Sequence, residues 1–317
     1  MRTLVTGATG FIGQRLLRSG VLQSAIAMVR NNSGDVLPFG TSFNMVYGDL
    51  LDPTSLHKAC TNIHTIFHCA GYAHAFTTSN PDAHWNINFK GTQNLLKAAG
   101  QAGVKRFVFL SSVKAMAEPG QKCITESWAG PPITAYGQAK CAAEDAVLEA
   151  GSKYDMHVVN LRLAMVYGSG GHGNLERMAH AIQAGWFPPL PETGNKRSLV
   201  HIDDVIAAMQ LVAEHPKANG KTYIIADPQI YSGHEIYIAL RKALNLKPVY
   251  LYVPAWLLRT GGYTGDILGK VLGRTMPITT EIVERLLGSA CFLPTCIEQE
   301  LGWQAQIELE SGLQEML

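Results

Sequence analysis

The chain begins with a strand-length apolar run that meets three glycines spaced three residues apart, and this feature limits the possible folds most strongly. Leu4 and Val5 belong to the apolar run, and Gly7, Gly10 and Gly13 follow it. Glycine has no Cβ, so a phosphate can approach the N–H groups at the positive end of the next helix. The pattern predicts a strand, a tight turn and a helix that hold a dinucleotide pyrophosphate; an ordinary strand-to-helix turn is the alternative. The residues predicted to bind this cofactor are Gly7, Gly10, Phe11, Ile12 and Gly13.

Segments with strand and helix periodicity alternate through residues 1–165, and this order predicts a doubly wound parallel (Rossmann) α/β sheet. Beyond residue 168 the chain becomes richer in glycine and proline, which predicts a smaller C-terminal α/β domain. We expect the dinucleotide-binding domain to comprise residues 1–165 and also residues of about 198–226, where the chain returns to the first sheet. The second domain then comprises residues 166–197 and 227–317.

Charge and hydropathy argue against several kinds of partner. Lys plus Arg number 26 and Asp plus Glu number 25, so the chain lacks the basic excess expected of a nucleic-acid-binding protein. No run of about eighteen apolar residues occurs, so we expect no membrane-spanning helix. Residues 253–272 are fairly apolar, but glycines at 261, 262, 265 and 269 are expected to break any continuous amphipathic helix there.

The cysteine pattern predicts reduced thiols and no metal site. No two cysteines form a CxxC pair, and no histidine cluster accompanies any of them. A chain of this size needs no disulfide scaffold, so we expect a cytoplasmic protein with free thiols. The six cysteines are Cys60, Cys69, Cys123, Cys141, Cys291 and Cys296.

Later strand ends carry residues that suit the adenosine part of a dinucleotide. Arg30 follows the second predicted strand, where an arginine suits a 2′-phosphate and favours NADP(H) over NAD(H); a solvated arginine is the alternative. Asp49 lies at the third strand end, where ligands are met in open α/β sheets. The fourth strand ends at His68, followed by small residues that include Ala70, as needed where backbone lies against a cofactor. We interpret His68 itself as a packed or hydrogen-bonded histidine.

A tyrosine and a lysine four residues apart form the candidate catalytic pair. Tyr136 and Lys140 point the same way if they lie on a helix. A nearby ammonium stabilises a phenolate, so we expect Lys140 to lower the pKa of Tyr136 and make it a general acid or base. Ser112 follows the fifth predicted strand, residues 106–110, and offers a hydroxyl that could hydrogen-bond the reacting oxygen. A surface pair is the alternative for the two helical residues.

This combination resembles the extended short-chain dehydrogenase/reductase superfamily, and within it the NAD-dependent epimerase/dehydratase family that acts on nucleotide-sugars. The resemblance covers nearly the whole chain. It implies that Asp49 and Leu50 contact the adenine, and that Ser112, Tyr136 and Lys140 act at the reacting carbon. The motifs that carry it are the glycine turn; Gly48-Asp49-Leu50; His68-Cys-Ala-Gly71; Asn88 with Gly91-Thr92; Leu110-Ser-Ser112; Tyr136 and Lys140; Arg162 to Gly168; and Arg197 to Asp204.

The same resemblance assigns roles to residues outside the catalytic group. It implies that Lys140 also holds the nicotinamide ribose and that Asn88 is a structural or proton-relay support. Asn174 and Arg197 would contact the diphosphate of the nucleotide-sugar, for which a forked guanidinium is well suited. A helix cap is the alternative for Asn174, and a surface ion pair for Arg197. The resemblance also implies a homodimer, formed through the helix at residues 85–102 and the Tyr136 helix.

The resemblance implies redox chemistry at C4 of a UDP-sugar with NADP(H) or NAD(H). The turn from Val113 to Glu118 resembles that of reductases of 4-keto-N-acetylated UDP-sugars, so we favour reduction of a UDP-4-keto-(6-deoxy)-N-acetylhexosamine. A UDP-hexose 4-epimerase with tightly bound NAD is the main alternative, and a non-catalytic NADP-sensing regulator is a distant one. A 4,6-dehydratase is disfavoured because Val113 and Lys114, rather than carboxylates, follow Ser112.

Overall fold

The computed structural model describes residues 1–22, 24–30, 43–72, 82–171, 173–274, 276 and 278–317. Strands and helices are labelled in chain order. The strands are β1 (Thr3–Thr6), β2 (Ala25–Val29), β3 (Asn44–Tyr47), β4 (Thr65–His68), β5 (Arg106–Ser112), β6 (Cys123–Ile124), β7 (His157–Leu163), β8 (Met165–Tyr167), β9 (Leu199–His201), β10 (Lys221–Ile225) and β11 (Cys291–Phe292).

The helices include one π-helical segment, His84–Lys90, which leads directly into an α-helix, and 3-10 turns at Val113–Ala115 and Pro216–Ala218. The α-helices are α1 (Phe11–Arg18), α2 (Pro53–Ala59), α3 (Gly91–Gln101), α4 (Ala135–Tyr154), α5 (Asn174–Gln183), α6 (Ile202–Glu214), α7 (Gly233–Ala243), α8 (Ala255–Leu272), α9 (Thr280–Leu287), α10 (Thr295–Leu301) and α11 (Leu309–Met316).

A seven-stranded parallel sheet forms the centre of the molecule, in the order β10-β7-β5-β4-β1-β2-β3. The strand order changes direction between β1 and β4, because the chain first builds outward through β2 and β3 and then returns to β4 and β5. Open α/β sheets bind ligands at the carboxyl ends of strands beside such a point. The predicted doubly wound α/β fold is confirmed.

Helices cover both faces of the sheet because the strands bury side chains on both sides. On one face, Val5 and Val159 pack with α1 and α6, whereas on the other Leu4 and Val158 pack with α2, α3 and α4. Strands buried on both faces are continuously apolar rather than alternating, as in a parallel sheet. These two cores hold the carboxyl ends of β1, β4 and β5 together at one edge.

The C-terminal part of the chain has a third core, where α5, α7 and α11 pack around Tyr167, Leu190 and Tyr237. Two short parallel sheets, β8 with β9 and β6 with β11, lie outside the central sheet. Strand β10 forms the outer strand of the central sheet beside β7. The division into domains of residues 1–165 with 198–226, and 166–197 with 227–317, stays a prediction.

Helix α8 runs without interruption through the segment in which glycines were expected to break it. That prediction is wrong because two of the glycines serve packing against α9 and the chain before it. A Cβ on Gly262 would lie 3.0 Å from the Thr280 Cα, and one on Gly265 would collide with the Ile278 carbonyl oxygen. The tertiary contact thus outweighs the low helix propensity of glycine.

Cys123 and Cys291 form a disulfide, so the prediction of six reduced thiols is wrong for this pair. The two cysteines face each other in register across β6 and β11. They lie 168 positions apart in the sequence, so no local spacing motif could reveal the pair. The remaining cysteines, Cys60, Cys69, Cys141 and Cys296, are free.

Candidate active site

The glycine turn after β1 is closed tightly against the end of β4. Gly7 has a φ of 66°, and a Cβ on it would lie 2.6 Å from the Ala70 nitrogen. A Cβ on Gly13 would collide with the carbonyl oxygen of Gly7, which also accepts the Gly10 N–H at 2.9 Å. Side chains at Gly7 or Gly13 would therefore force the turn open.

The first turn of α1 is open toward an anion. Gly10 is the N-cap residue and offers no side-chain acceptor, and the first turn contains no acidic residue. The N–H groups of Phe11, Ile12 and Gly13 precede the first intrahelical hydrogen bond. They can therefore donate to a ligand at the positive end of the helix dipole. The residues present fit the pyrophosphate of a dinucleotide.

A series of hydrogen bonds between buried polar side chains supports the glycine turn. Thr6 Oγ1 lies 2.7 Å from His68 Nδ1, and His68 Nε2 lies 2.9 Å from Thr92 Oγ1. Thr92 donates to the Asn88 carbonyl oxygen, and Thr6 accepts from the Ala70 N–H. Burial, aided by the charge of Lys140, lowers the pKa of His68 to about 3, so its ring is neutral. The interpretation of His68 as a hydrogen-bonded core histidine is confirmed.

Asn88 holds the loop that follows β4. Its side chain accepts from the Tyr72 N–H at 2.7 Å and donates to the Tyr72 carbonyl oxygen at 2.9 Å. A Cβ on Gly71 would lie 3.2 Å from Asn88 Oδ1 and 3.4 Å from Lys140 Nζ. Through these contacts Asn88 fixes the loop at Gly71 and Tyr72, which lies beside the predicted catalytic lysine, Lys140.

Tyr136 lies at the start of α4, within reach of the end of β5. The ring of His84 packs edge-on against the phenol ring, with 5.6 Å between the ring centroids. Burial raises the pKa of Tyr136, and the hydrogen bond with Ser112 opposes this only partly. The prediction that Lys140 lowers this pKa is therefore not met, because the net shift is upward and desolvation is its largest cause.

Lys140 is buried one helical turn after Tyr136. Its Nζ donates to the Leu110 carbonyl oxygen at 2.8 Å and lies 4.5 Å above the ring of Phe109. Burial lowers the pKa of Lys140 to about 8, against the opposing influence of Glu144 and the thiol of Cys69. The alternative of a surface pair is thus excluded for Lys140, whose ammonium faces the sheet edge rather than solvent.

The residues predicted for the adenosine part lie along the β2 and β3 ends of the sheet. Asp49 is exposed, and its Oδ1 accepts the Leu51 N–H at 2.8 Å, which fixes the carboxylate after β3. Leu50 is buried, and its carbonyl oxygen accepts from Asn94. Arg30 is exposed directly after β2; the chain from 31 to 42 lies outside the described residues.

The two predicted diphosphate contacts occupy different settings. Asn174 is the exposed first residue of α5, and the cap position belongs to Gly173, so the alternative of a capping Asn174 is wrong. Arg197 donates from Nη1 to the carbonyl oxygens of Arg285 and Gly288, and burial lowers its pKa. Within the described ranges no carboxylate pairs with Arg197, so the surface-ion-pair alternative is also not met.

The structure adds residues that the sequence reasoning missed. His84 packs against Tyr136, but the sequence around it contains no motif that marks this contact. Gly137 allows the Lys114 carbonyl oxygen to press against α4, where any Cβ would collide with it. Glu144 lies one turn beyond Lys140, accepts from Ser111 at 2.5 Å and pairs with Arg162 at 2.7 Å. The four-residue spacing from Lys140 to Glu144 could have revealed only that this carboxylate lies near the ammonium, whose pKa it raises.

One cluster of potential metal ligands occurs within the described residues, and an arginine already occupies it. His201, Asp203 and Glu315 bring ligand atoms within 4.8 Å of one another. The Arg15 guanidinium, however, lies 2.5 Å from Asp203 and 2.9 Å from Glu315. The guanidinium thus contacts both carboxylates of the cluster.

Residues 3–226 match the model of the NAD dependent epimerase/dehydratase family, which covers the glycine turn, Ser112, Tyr136 and Lys140. The chain belongs to this family. Its members depend on NAD, so the cofactor is a nicotinamide dinucleotide, in agreement with the open first turn of α1. Membership also makes the protein an enzyme of the epimerase/dehydratase type, as the resemblance implied.

Among curated proteins, the family member is similar to a UDP-glucose 4-epimerase of Vibrio cholerae, with 31% identity over 98% of this chain and 93% of the relative. It is also 25% identical to the N-acetyl-alpha-D-glucosaminyl-diphospho-ditrans,octacis-undecaprenol 4-epimerase of Escherichia coli O157:H7, over 99% of this chain and 93% of the relative. Among solved structures, a UDP-glucose 4-epimerase of Thermotoga maritima shares the fold, with a TM-score of 0.77, 21% identity and coverage of 100% and 97%.

The structure bears on membrane placement in one respect. Within the described ranges, every helix is too short or too polar to reach across a bilayer.

Proposed function

We propose that this family member is an NAD-dependent 4-epimerase of a UDP-linked hexose or N-acetylhexosamine. The observation that carries the proposal is the group formed by Ser112, Tyr136 and Lys140 beside the glycine turn. Lys140 Nζ lies 3.4 Å from the position of a Cβ on Gly71, and a Cβ on Gly7 would touch the adjacent Ala70. The ammonium of Lys140 and the dinucleotide turn therefore lie at one edge of the sheet, and Tyr136 is one helical turn before Lys140 on α4.

The likeness to two curated 4-epimerases over nearly the whole chain favours epimerisation over the reductase that the turn after Ser112 suggested. NAD, when bound, supplies the hydride acceptor and donor. Tyr136 takes the proton from the C4 hydroxyl and later returns it, while Ser112 orients that oxygen by hydrogen bonding. Lys140 supplies a positive charge beside the loop at Gly71, which Asn88 holds in place.

A 4-ketoreductase for a UDP-4-keto-(6-deoxy)-N-acetylhexosamine is the second candidate, and two observations favour it. The raised pKa of Tyr136 keeps the phenol protonated at neutral pH, ready to donate to a ketone oxygen. The exposed Arg30 after β2 suits the 2′-phosphate of NADPH, the cofactor of a net reduction. NAD thus belongs to the proposed epimerase reaction, and NADPH belongs to the alternative reductase reaction.

The carrier of the sugar is a further part of the proposal. One relative acts, by its name, on a sugar linked through a diphosphate to undecaprenol, whereas the other acts on UDP-glucose. Both carriers present a diphosphate, and Arg197 is proposed to bind it because its guanidinium carries a charge that no described carboxylate neutralises. Asn174, exposed at the first turn of α5, is proposed to contact the same group.

The test is incubation of the purified protein with UDP-glucose, UDP-N-acetylglucosamine and the corresponding 4-keto-6-deoxy sugar, with NAD(H) and NADP(H) in separate reactions. An epimerase forms the C4 epimer without net change in cofactor absorbance, whereas a reductase consumes reduced cofactor in proportion to product. Tyr136→Phe should lower turnover by about 100-fold or more. Tyr154→Phe, at the other end of α4, is the matched control.

The same variants separate catalysis from regulation. A non-catalytic NADP-sensing protein would bind the dinucleotide equally well with Phe at position 136 and would turn over none of the sugars. Turnover that is lost in Tyr136→Phe, with cofactor binding retained, excludes that alternative. Absence of turnover with every sugar in the wild-type protein would contradict the proposal.

A homodimer and a cytoplasmic location stay predictions that accompany this function. The dimer is proposed to form through α3 and α4, the two helices next to each other on one face of the sheet. The Cys123–Cys291 disulfide bears on the location, because disulfides are rare in proteins of a reducing cytoplasm.

A further inference from the structure

Helix α8 exposes its large apolar residues and packs through its glycines, which is the reverse of an ordinary surface helix. Gly262 and Gly265 are buried against the segment that leads into α9. Val271 is 75% exposed, and Trp256 and Tyr263 are 66% and 65% exposed. The outward side chains define an apolar face of α8, consisting of Trp256, Leu257, Tyr263, Ile267, Leu268 and Val271.

The spacing of these residues makes the face continuous. At 100° per residue, Trp256, Ile267 and Val271 lie within about 60° of one another around the helix axis. The glycines at 262, 265 and 269 occupy the opposite side. The face therefore cannot be buried by a small shift of α8, because the side that contacts the protein is already closed by backbone contacts.

The chain before α8 extends the same surface. Tyr250 and Leu251 are 86% and 84% exposed, in the segment that leads into the helix. The Val253 N–H donates to the Pro189 carbonyl oxygen, which brings this segment beside the loop that carries the exposed Trp186. Contiguous apolar surface of this kind marks a protein or membrane interaction site in water-soluble folds.

The charges around the apolar face are complementary to an anionic surface. Lys270 and Arg274 are exposed at the C-terminal end of α8. The one acidic residue of the helix, Asp266, turns toward α9, where its carboxylate accepts the Thr280 N–H at 3.3 Å. Arg259 of α8 is already paired with Glu284 of α9 at 2.8 Å. Lys270 and Arg274 have no carboxylate partner among the described residues, so the face combines apolar and aromatic side chains with unpaired cations at its C-terminal end, the composition of segments that lie in the headgroup region of a bilayer.

We propose that the apolar face of α8 binds the surface of an anionic lipid bilayer, with the helix lying parallel to the membrane plane. Trp256 and Tyr263 would insert at the headgroup boundary, and Lys270 and Arg274 would contact lipid phosphates. A second copy of the chain is the less suitable occupant, because a two-fold contact is self-complementary and the one carboxylate of α8, Asp266, faces α9 rather than a copy's unpaired Lys270 and Arg274. The proposal goes beyond the epimerase function and does not depend on it.

Vesicle flotation tests the proposal without any measurement of turnover. The full-length protein is mixed with vesicles of phosphatidylcholine alone, or with about one third phosphatidylglycerol added, and floated through a density gradient. We expect flotation with the anionic vesicles and a decrease at high salt. Ile267→Ser combined with Val271→Ser should weaken binding by about ten-fold or more, since both exposed side chains lose the area that would leave water.

Two controls keep the outcome decisive. Met45→Ser removes an exposed apolar side chain from β3, at the edge of the central sheet, and should float like the wild-type protein. Equal thermal stability of the α8 variant and the wild-type protein excludes misfolding. Failure of the wild-type protein to float with anionic vesicles, or equal flotation of the α8 variant, would overturn the proposal. A larger wild-type assembly that the α8 variant dissociates would also overturn it and assign the face to a second copy.

Discussion

The charge on Lys140 is set by its burial, and this has opposite consequences for activity and for stability. The ammonium is surrounded by the Leu110 carbonyl, the Phe109 ring and the loop at Gly71, so its pKa falls from 10.5 to about 8. The site therefore loses its positive charge at mildly alkaline pH. At that pH the folded protein, by contrast, no longer contains the destabilising buried charge.

Between pH 8 and pH 10.5 the unfolded chain binds the Lys140 proton and the folded chain does not. Stability from this group accordingly rises with pH in that window, by up to roughly 3 kcal/mol, and is constant below it. Lys140→Met should remove this rise in the free energy of unfolding, measured by urea denaturation at pH 8 and pH 10. Lys97→Met, at an exposed position on α3, should keep it. An unchanged pH dependence in Lys140→Met would contradict the buried ammonium.

Glu144 stabilises the second buried cation near the site. It is 3% exposed and pairs with Arg162 while accepting from Ser111. Glu144→Gln leaves the guanidinium without its counter-charge, so we expect the free energy of unfolding to fall by about 3 kcal/mol. Glu149→Gln, exposed on the same helix, should change it by less than about 0.5 kcal/mol. Denaturation curves of both variants at pH 7 provide the comparison, and equal effects would refute the role of the buried pair.

At the scale of elements, the active site depends on how closely the elements approach one another. The turn from β1 into α1 touches the end of β4 at Ala70, and α4 touches the loop after β5 at Gly137. Each contact is between backbones and is possible because glycine has no side chain. The hairpin of α8 and α9 is built on the same principle, away from the proposed catalytic group.

Two glycines of α8 provide a matched pair that tests this packing. Gly265→Ala introduces a Cβ that collides with the Ile278 carbonyl oxygen, so we expect a loss of about 1–3 kcal/mol in stability. Gly261 has no atom within 4 Å of the same position, so Gly261→Ala should be neutral or stabilise by up to about 1 kcal/mol. Thermal unfolding of the two variants measures the difference. Similar shifts in both would show that α8 does not pack through this side.

On the scale of the whole molecule, the Cys123–Cys291 disulfide joins the loop region after β5 to the C-terminal part of the chain. It closes a loop across 168 positions and lies beside a small core that contains Ile124 and Phe292. Large closed loops restrict the unfolded chain most strongly. The bond therefore connects the chain that follows Ser112 with the region that carries α8 and α9.

Removal of this bond should lower the stability of the entire chain. We expect Cys123→Ser with Cys291→Ser to reduce the free energy of unfolding by about 2–4 kcal/mol under non-reducing conditions. Dithiothreitol should produce a comparable loss in the wild-type protein and little further change in the double variant. Cys141→Ser, which removes a free thiol, should respond to dithiothreitol like the wild type. A wild-type protein insensitive to reduction would contradict the disulfide.

Local signals in the sequence predicted the central sheet well, because strand and helix periods and the glycine turn depend on neighbouring residues. Strand β5 contains the predicted residues 106–110 and continues to Ser112, because it pairs with β7 to that point. The grouping of Ser112, Tyr136 and Lys140 was predicted from their order in the chain. The pKa values of Tyr136 and Lys140 were not, since burial decides both, with smaller influences of Ser112 on Tyr136 and of Glu144 and Cys69 on Lys140.

The sequence by itself determined the nucleotide-binding fold and the identity of the proposed catalytic side chains, because both follow from short-range patterns. Only the tertiary structure decided the electrostatics of the site, the continuity of α8 and the pairing of Cys123 with Cys291. Each of these depends on groups that are distant in the chain. The electrostatics depend on the protein that excludes water from Tyr136 and Lys140, the continuity of α8 on backbone that packs directly against its glycines, and the disulfide on two short strands held in register. Such contacts arise from the packing of the whole chain.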